Sequence, residues 1–223
     1  DVLALRHAEK TGEGQHIDMA LLDTQVAMLA NLGANYLVTG KAPQRAGNAH
    51  QNIVPYQVFE VAPNAAGEKD HLILAVGNDA QYVKFCAVAG VPQLAADPRF
   101  LKNRDRVLNR AALVPQLEAV MKTRPKADWL AALEAAHVPC GAINNLSEVF
   151  ADPQVQARGM VTHWQHPVTD DLRLVASPMK LSATPVRTDL PPPLLGQHTD
   201  EVLRELLGRP EAALADLRRR SVI

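Results

Sequence analysis

Asn48, His50, Gln51 and Asn52 place four polar side chains within five positions, immediately after a glycine at 47. Together they offer amide donors, amide acceptors and an imidazole in one short loop. Gly47 can adopt backbone angles closed to other residues, which lets a ligand approach the main chain. The stretch 45–60, RAGNAHQNIVPYQVFE, turns at Pro55 from this polar loop into a strand-like run. Such residues suit hydrogen-bonded contact with a substrate. Taken locally, they also fit an ordinary polar crossover loop, and the local residues alone favour that reading.

The other chemistry-bearing residues point to no catalytic machine. The chain carries no GxGxxG, Walker loop, HExxH or GxSxG. His163 and His166 flank Trp164 at strand spacing. Residues three apart on a strand face opposite sides, so they do not make a metal pair, and no metal site is expected. Cys140 in VPCG has no local base of the kind a nucleophilic thiol needs, and it reads as structural. Cys86 and Cys140 are far apart without a CxxC, which excludes a disulfide framework and a zinc site. Asp18 and Asp23 read as structural or capping residues.

The elements that must position the loop follow from periodicity. Residues 2–10 read as the end of a buried helix, with cations toward its negative end and Gly12 as its stop. Residues 15–20 read as extended. Residues 21–39 carry apolar side chains near helical spacing, capped at Asp23-Thr24 and stopped by Gly40. Residues 56–62 and 71–77 form a predicted antiparallel hairpin. Asn78-Asp79 caps a helix over 80–89, ended by Gly90. Residues 105–123 read as one long amphipathic helix, inward through Val107, Leu108, Ala111, Val114, Leu117 and Met121, kinked or split at Pro115. A helix over 126–136, a short strand over 138–144 and two short helices up to Gly159 follow. A second hairpin spans 160–165 and 172–175. After an irregular proline-bearing span, two helices cover 199–207 and 210–220. Helices alternating with hairpins argue for α+β, not a doubly wound parallel sheet, over 53–175.

Composition is that of an ordinary soluble globular chain: 223 residues, 47% hydrophobic, 21% charged, formal net charge −1. A near-zero charge supplies no global field for nucleic acid or anionic lipid, so neither is an expected partner. No apolar run is long enough for a transmembrane helix and no signal peptide is visible. Free thiols are expected in a reducing cytosol, hence a cytoplasmic location. The sequence lacks an initial Met and opens on a helix already under way, so it is expected to be part of a longer polypeptide.

Six stretches, taken in order, resemble the class III CoA-transferase family, also called CaiB/BaiF. They are ALRHAEKTGEGQHIDMALLD (4–23), RAGNAHQNIVPYQVF (45–59), HLILAVGND (71–79), ADPRF (96–100), HVPCGAINNLSEVFADPQVQARGMV (137–161) and PPLLGQHTDEVLRELLG (192–208). The likeness is to the C-terminal portion of such proteins. It implies CoA transfer between an acyl-CoA and a free carboxylic acid through covalent aspartyl intermediates. A CoA thioester would be the substrate, with no permanently bound cofactor. The implied fold is α/β overall: a Rossmann-like large domain, mostly missing here, an α+β small domain, and an interlocked homodimer. By this likeness residues 1–44 hold the end of a large-domain segment and a linking helix, 45–165 form the small α+β domain and 166–223 return to the large one. The loop at Gly47, Asn48 and His50 matches the family's Gly-rich loop over the substrate. It has one glycine where well-known members have several, so Asn48 and His50 are expected to add side-chain contacts. Leu21 matches a position near bound CoA. Asp1 is a candidate nucleophile, but it lies only five residues before Arg6. The family's aspartate sits several helical turns before that position, so the nucleophile is expected upstream. Two alternatives remain open: an α-methylacyl-CoA racemase of the same fold, and a non-catalytic scaffolding or dimerisation subunit.

Overall fold

Alternating burial along two short strands builds the main core. The computed structural model describes residues 2–187 and 190–223. They fall into two compact units, one running to Ile143 and the other from Asn144 to Ile223. Asp1, the candidate nucleophile, lies outside the described residues.

The first unit opens with α1 (Val2–Thr11), closed by Gly12 at φ 78, whose N–H donates to the Ala8 carbonyl at 2.8 Å. The expectation of a buried helix fails: no residue of α1 is buried and Leu3 is 86% exposed. The apolar stripe is present, but no described element covers it. Residues 21–39 form two helices rather than one, α2 (Leu21–Ala27) and α3 (Ala30–Thr39). The break falls at Ala30, held at φ 45, with neither glycine nor proline to announce it. The cap expected at Asp23-Thr24 also moves. Both residues sit inside α2, and the Thr24 hydroxyl donates back to the Ala20 carbonyl at 3.0 Å. Gly40 closes α3 at φ 67 as expected.

Beyond the polar loop, β1 (Tyr56–Val61) and β2 (Asp70–Ala75) pair antiparallel, from Tyr56 opposite Ala75 to Val61 opposite Asp70. Phe59 and Val61 alternate with more exposed residues, as do Leu72 and Leu74, and all four are buried. Successive side chains on a strand face opposite sides, so this alternation puts Phe59 and its partner Leu72 into one core. α4 (Asp79–Val88) is capped by the Asn78 side chain accepting the Gln81 N–H, and it buries Tyr82, Phe85 and Cys86. The short α5 (Pro92–Ala96) follows, then α6 (Asn103–Leu108), α7 (Arg110–Met121) and α8 (Lys126–Ala135), which buries Trp129 and Leu133. β3 (Cys140–Ala142) adds to the other side of β2, giving an antiparallel sheet of order β1-β2-β3.

The single helix expected over 105–123 is thus split, but at Asn109 and not at Pro115, which lies inside α7. The Asn109 amide donates to the Arg99 carbonyl at 3.2 Å and the Asp105 carbonyl at 3.0 Å, so a side chain takes over where the helix ladder stops. Of the expected inward residues Leu117 and Met121 are buried and Val107 and Val114 pack against the core, while Leu108 is exposed. α6 buries Arg106 and exposes Leu108, while α7 buries Leu113, Leu117 and Met121.

The second unit holds α9 (Leu146–Ala151), α10 (Pro153–Ala157), the antiparallel pair β4 (Val161–His166) and β5 (Thr169–Val175), α11 (Thr199–Glu205) and α12 (Glu211–Arg219). Asn145 and Glu148 form a reciprocal capping box on α9, and Asp152 caps α10. Leu214 of α12 is its buried hydrophobic residue. Both units therefore combine helices with small antiparallel sheets, the mixed α and β character expected.

Candidate functional site

The polar loop begins with a tight turn. Ala49 N–H donates to the Ala46 carbonyl at 3.1 Å across Gly47, which sits at φ 61. A positive φ at the second position of such a turn is the conformation glycine adopts without steric cost. Gly47 and Asn48 are exposed, and His50 is half-buried. The loop borders a cleft of about 440 Å³ lined by Leu32 of α3 and by Pro43, Gln44, Arg45, Ala46, Gly47, Ala49 and Gln51.

Of these three expected site residues Gly47 lines the cleft and Asn48 and His50 do not; their side chains are engaged by the loop itself and by β1. The Asn48 side-chain Oδ1 accepts the Val58 N–H at 3.0 Å, which ties the turn to β1. The His50 ring stacks on Tyr56 with centroids 5.3 Å apart. Its Nδ1 accepts the Asn52 N–H at 3.1 Å, an arrangement that leaves Nε2 as the ring donor of the neutral form. The Gln51 side chain accepts from the Asn35 amide of α3 at 3.3 Å. Leu21 is not drawn into this cluster. It lies on α2, 90% exposed, and is not among the residues lining the cleft.

Residues that the sequence did not single out hold the loop from behind. Arg110, the first residue of α7, donates through Nη2 to the His50 carbonyl at 2.7 Å and the Gln51 carbonyl at 2.9 Å. The Asn103 amide donates to the Asn52 carbonyl at 2.8 Å and accepts the Val54 N–H at 3.0 Å. Arg106, fully buried, donates through Nε to the Val54 carbonyl at 2.7 Å. It also reaches the Phe100 carbonyl, the Leu101 carbonyl and Asp79, and lies 4.3 Å from the centre of the Tyr82 ring. Asp79 is the hub. Its Oδ1 accepts from Arg106 at 3.0 Å and from the Asn103 N–H at 2.9 Å. Burial pushes the Asp79 carboxyl up, but these two bonds, with the charges of Arg106 and Lys102, hold it below its ordinary value. Asn103, Arg106 and Arg110 lie three and four positions apart, and that spacing was the available signal.

The remaining candidates behave as structural groups. Asp171 accepts from the His163 Nδ1 at 2.7 Å and from the Arg173 Nε at 2.6 Å. His166 instead donates through Nε2 to the Pro192 carbonyl at 3.1 Å. The two histidines thus have separate partners. Among the described residues no group of three or more His, Cys, Asp and Glu is placed to hold a metal ion. Burial raises the Cys140 thiol, with Glu134 adding to the effect, so it is not an activated nucleophile. A larger cleft of about 750 Å³ lies in the second unit, lined mainly by Phe150, Val155, Met160, Val161 and Leu174. Its two basic residues, His163 and Arg173, are those already held by Asp171. The polar loop is therefore the better candidate. No helix among the described residues is long and apolar enough to cross a membrane.

The chain is 46% identical over 203 residues to a succinate–glutarate CoA-transferase of Agrobacterium fabrum, covering 91% of this chain and 49% of that protein. It is 36% identical over 208 residues to the human succinyl-CoA:glutarate CoA-transferase, covering 93% of this chain and 46% of the relative. The crystal structure of a CaiB/BaiF family protein from Brucella suis superposes with a TM-score of 0.73 at 42% identity, over 92% of this chain and 51% of that one. The chain thus spans about half the length of the proteins it resembles. The sequence model of CoA-transferase family III matches residues 2–199, and the chain belongs to that family.

Proposed function

We propose that this chain forms part of an enzyme that moves CoA between an acyl-CoA thioester and a free carboxylic acid, and that the loop at 45–54 borders the acyl and carboxylate side of its site. The observation that carries the reading is the turn at Gly47. Its positive φ holds the loop's tip at a cleft also lined by Arg45. Among the described residues the Gly47 and Asn48 N–H groups have no acceptor. Free backbone donors of this kind stabilise the oxyanion of acyl transfer, and an arginine suits a carboxylate.

In the proposed chemistry an aspartate of the intact polypeptide attacks the thioester carbonyl, forms a mixed anhydride and releases CoA thiolate. The thiolate attacks the enzyme's own carboxyl carbon and expels the donor acid, leaving an enzyme thioester. The acceptor carboxylate attacks that thioester and releases the thiolate again. Attack of the thiolate on the acceptor's acyl carbon then gives the new acyl-CoA and frees the aspartate. Splitting one difficult exchange in this way is covalent carboxylate catalysis. The relatives named for succinate and glutarate favour short dicarboxylic acids as donor and acceptor. Asn48 and His50, through the His50 Nε2 donor, would contact the carboxylate, and Leu21 would lie near the CoA.

The assembly we propose is an interlocked cytoplasmic homodimer with no resident cofactor. Residues 45–165 would form its small domain, with 1–44 and 166–223 belonging to a Rossmann-like large domain. The exposed apolar side chains of α1 to α3, Leu3, Leu21, Leu37 and Val38 among them, are surfaces that such a large domain would cover. The test is to supply the full-length protein with succinyl-CoA and glutarate, follow glutaryl-CoA, and quench with hydroxylamine. The expected product is a hydroxamate on an aspartate. Isotope exchange at the α-carbon without acyl transfer would overturn the reading in favour of a racemase.

A further inference from the structure

We infer that Arg110 and Asn103 are positioning residues that hold the polar loop preformed for substrate from behind, in place of a mobile flap. The inference rests on the proposed placement of that loop beside the thioester. Two side chains from helices further along the chain fix its main chain at four positions: Arg110 holds the His50 and Gln51 carbonyls, and Asn103 holds the Asn52 carbonyl and the Val54 N–H. Arg110 is not among the residues lining the cleft, whereas Gln51 is. The Arg110 Nη2 is taken up by two loop carbonyls, so Arg110 acts on the cleft through the loop. Asn103 is itself fixed, its own N–H donating to Asp79 at 2.9 Å.

These bonds add to others on the loop, among them the His50 N–H donating to the Tyr56 carbonyl at 2.8 Å and Arg106 donating to the Val54 carbonyl. The loop has a single glycine and no regular secondary structure between Gly40 and Tyr56. A segment of that kind would lose conformational entropy on meeting substrate. Bonds made beforehand remove that cost from the binding step and keep reacting groups within the narrow range that fast chemistry requires. The His50 stack on Tyr56 and the Asn48 bond to Val58 complete the frame on the β1 side. The polar tip is thus held from β1 and from α6 and α7, while the Gly47 and Asn48 N–H groups stay unpaired among the described residues.

The test compares Arg110→Met and Arg110→Lys in the full-length protein, by hydrogen exchange and by steady-state transfer from succinyl-CoA to glutarate. In Arg110→Met the amides of 46–54 should exchange about ten-fold faster, while those of α8 keep their native rates. Its kcat should fall about ten- to hundred-fold, the range expected when reacting groups shift by about an ångström, with KM for the thioester changing far less. Arg110→Lys should recover part of both effects, because an ammonium can still reach one of the two carbonyls. If Arg110→Met loosens α8 as well, the lysine variant carries the comparison. Unchanged loop exchange in both variants overturns the positioning role, whatever the turnover. Faster loop exchange with unchanged kcat and KM overturns it differently: the loop would be held as described but would not serve the site. In that case Gly47→Val would also leave turnover intact, which assigns the failure to the proposed location of the site.

Discussion

Replacing Arg106 by methionine tests whether a buried cation anchors the loop's exit. Methionine keeps the apolar stem and removes every donor. Four bonds disappear: those to the carbonyls of Val54, Phe100 and Leu101, and that to Asp79. Bonds to a charged donor contribute about 1.5–3 kcal/mol each, and buried acceptors left unpaired cost about 1–3 kcal/mol. Two effects reduce the sum. Leu101 is exposed enough for water to reach its carbonyl, and Asp79, with a side chain 38% exposed, keeps the Asn103 N–H and Lys102 at 3.5 Å. The variant also no longer desolvates a guanidinium, which offsets part of the loss. The net expectation is a loss of about 3–4 kcal/mol, near the lower end for breaking a buried pair from one side. With a urea slope of about 2 kcal/mol/M, the midpoint should fall by about 1.5–2 M. Trp129 is fully buried in the first unit and reports the transition directly in a Trp164→Phe background. Arg106→Lys, which keeps the charge without the fork, should fall between the two. A midpoint within about 0.5 M of the parent, equivalent to about 1 kcal/mol at that slope, would refute the anchoring role.

Three further outcomes follow from the same geometry. The Asp79 carboxyl is held below its ordinary value, and a depressed folded pKa adds stability that is full above the unfolded value and lost as pH falls through the folded one. The urea midpoint should therefore decline below about pH 4, and the decline should be shallower in Asp79→Asn. Gly47→Val meets no atom within 4 Å but forces a β-branched residue to φ 61. It should cost about 1–3 kcal/mol of stability while reducing acyl transfer far more, and unchanged turnover by the full-length protein would return the loop to a purely structural role. Burial raises both the Cys86 and the Cys140 thiols. Iodoacetamide at pH 7.5 should leave both intact, as followed by intact mass, over a time that fully alkylates a free cysteine peptide. Rapid alkylation with loss of transfer would overturn their assignment as structural.

Much of the fold was legible because strand alternation and helix stops are local signals. Both hairpins, the Asn78 cap, the Gly40 stop and the helices flanking Asp152-Pro153 fall where the residues place them. What failed was set by tertiary context. Nothing between Leu21 and Gly33 announces the break at Ala30, since the chain there carries neither glycine nor proline. The structure shows instead why Gly33 suits the turn that follows: a Cβ there would meet Leu29 Cβ at 3.1 Å. The helix α5 is five residues long, too short for periodicity to register, although it buries Leu94.

The loop itself was legible from composition, but its support was not, for a physical reason. A hydrophobic stripe identifies a core face only when the groups facing inward are apolar. In α6 the buried group is Arg106, satisfied by three carbonyls and a carboxylate, while Leu108 faces solvent. The apolar pattern of α6 therefore held for Val107, which packs against the core, and failed for Leu108. The partners of Asn103, Arg106 and Arg110 include backbone groups of the loop that carries Asn48 and His50. A carbonyl has the same chemistry in every residue, so no sequence pattern marks which ones a buried arginine will seek. Arg110 offers the sharpest case, since the carbonyls it holds belong to His50 and to cleft-lining Gln51, just beyond the Gly47 turn.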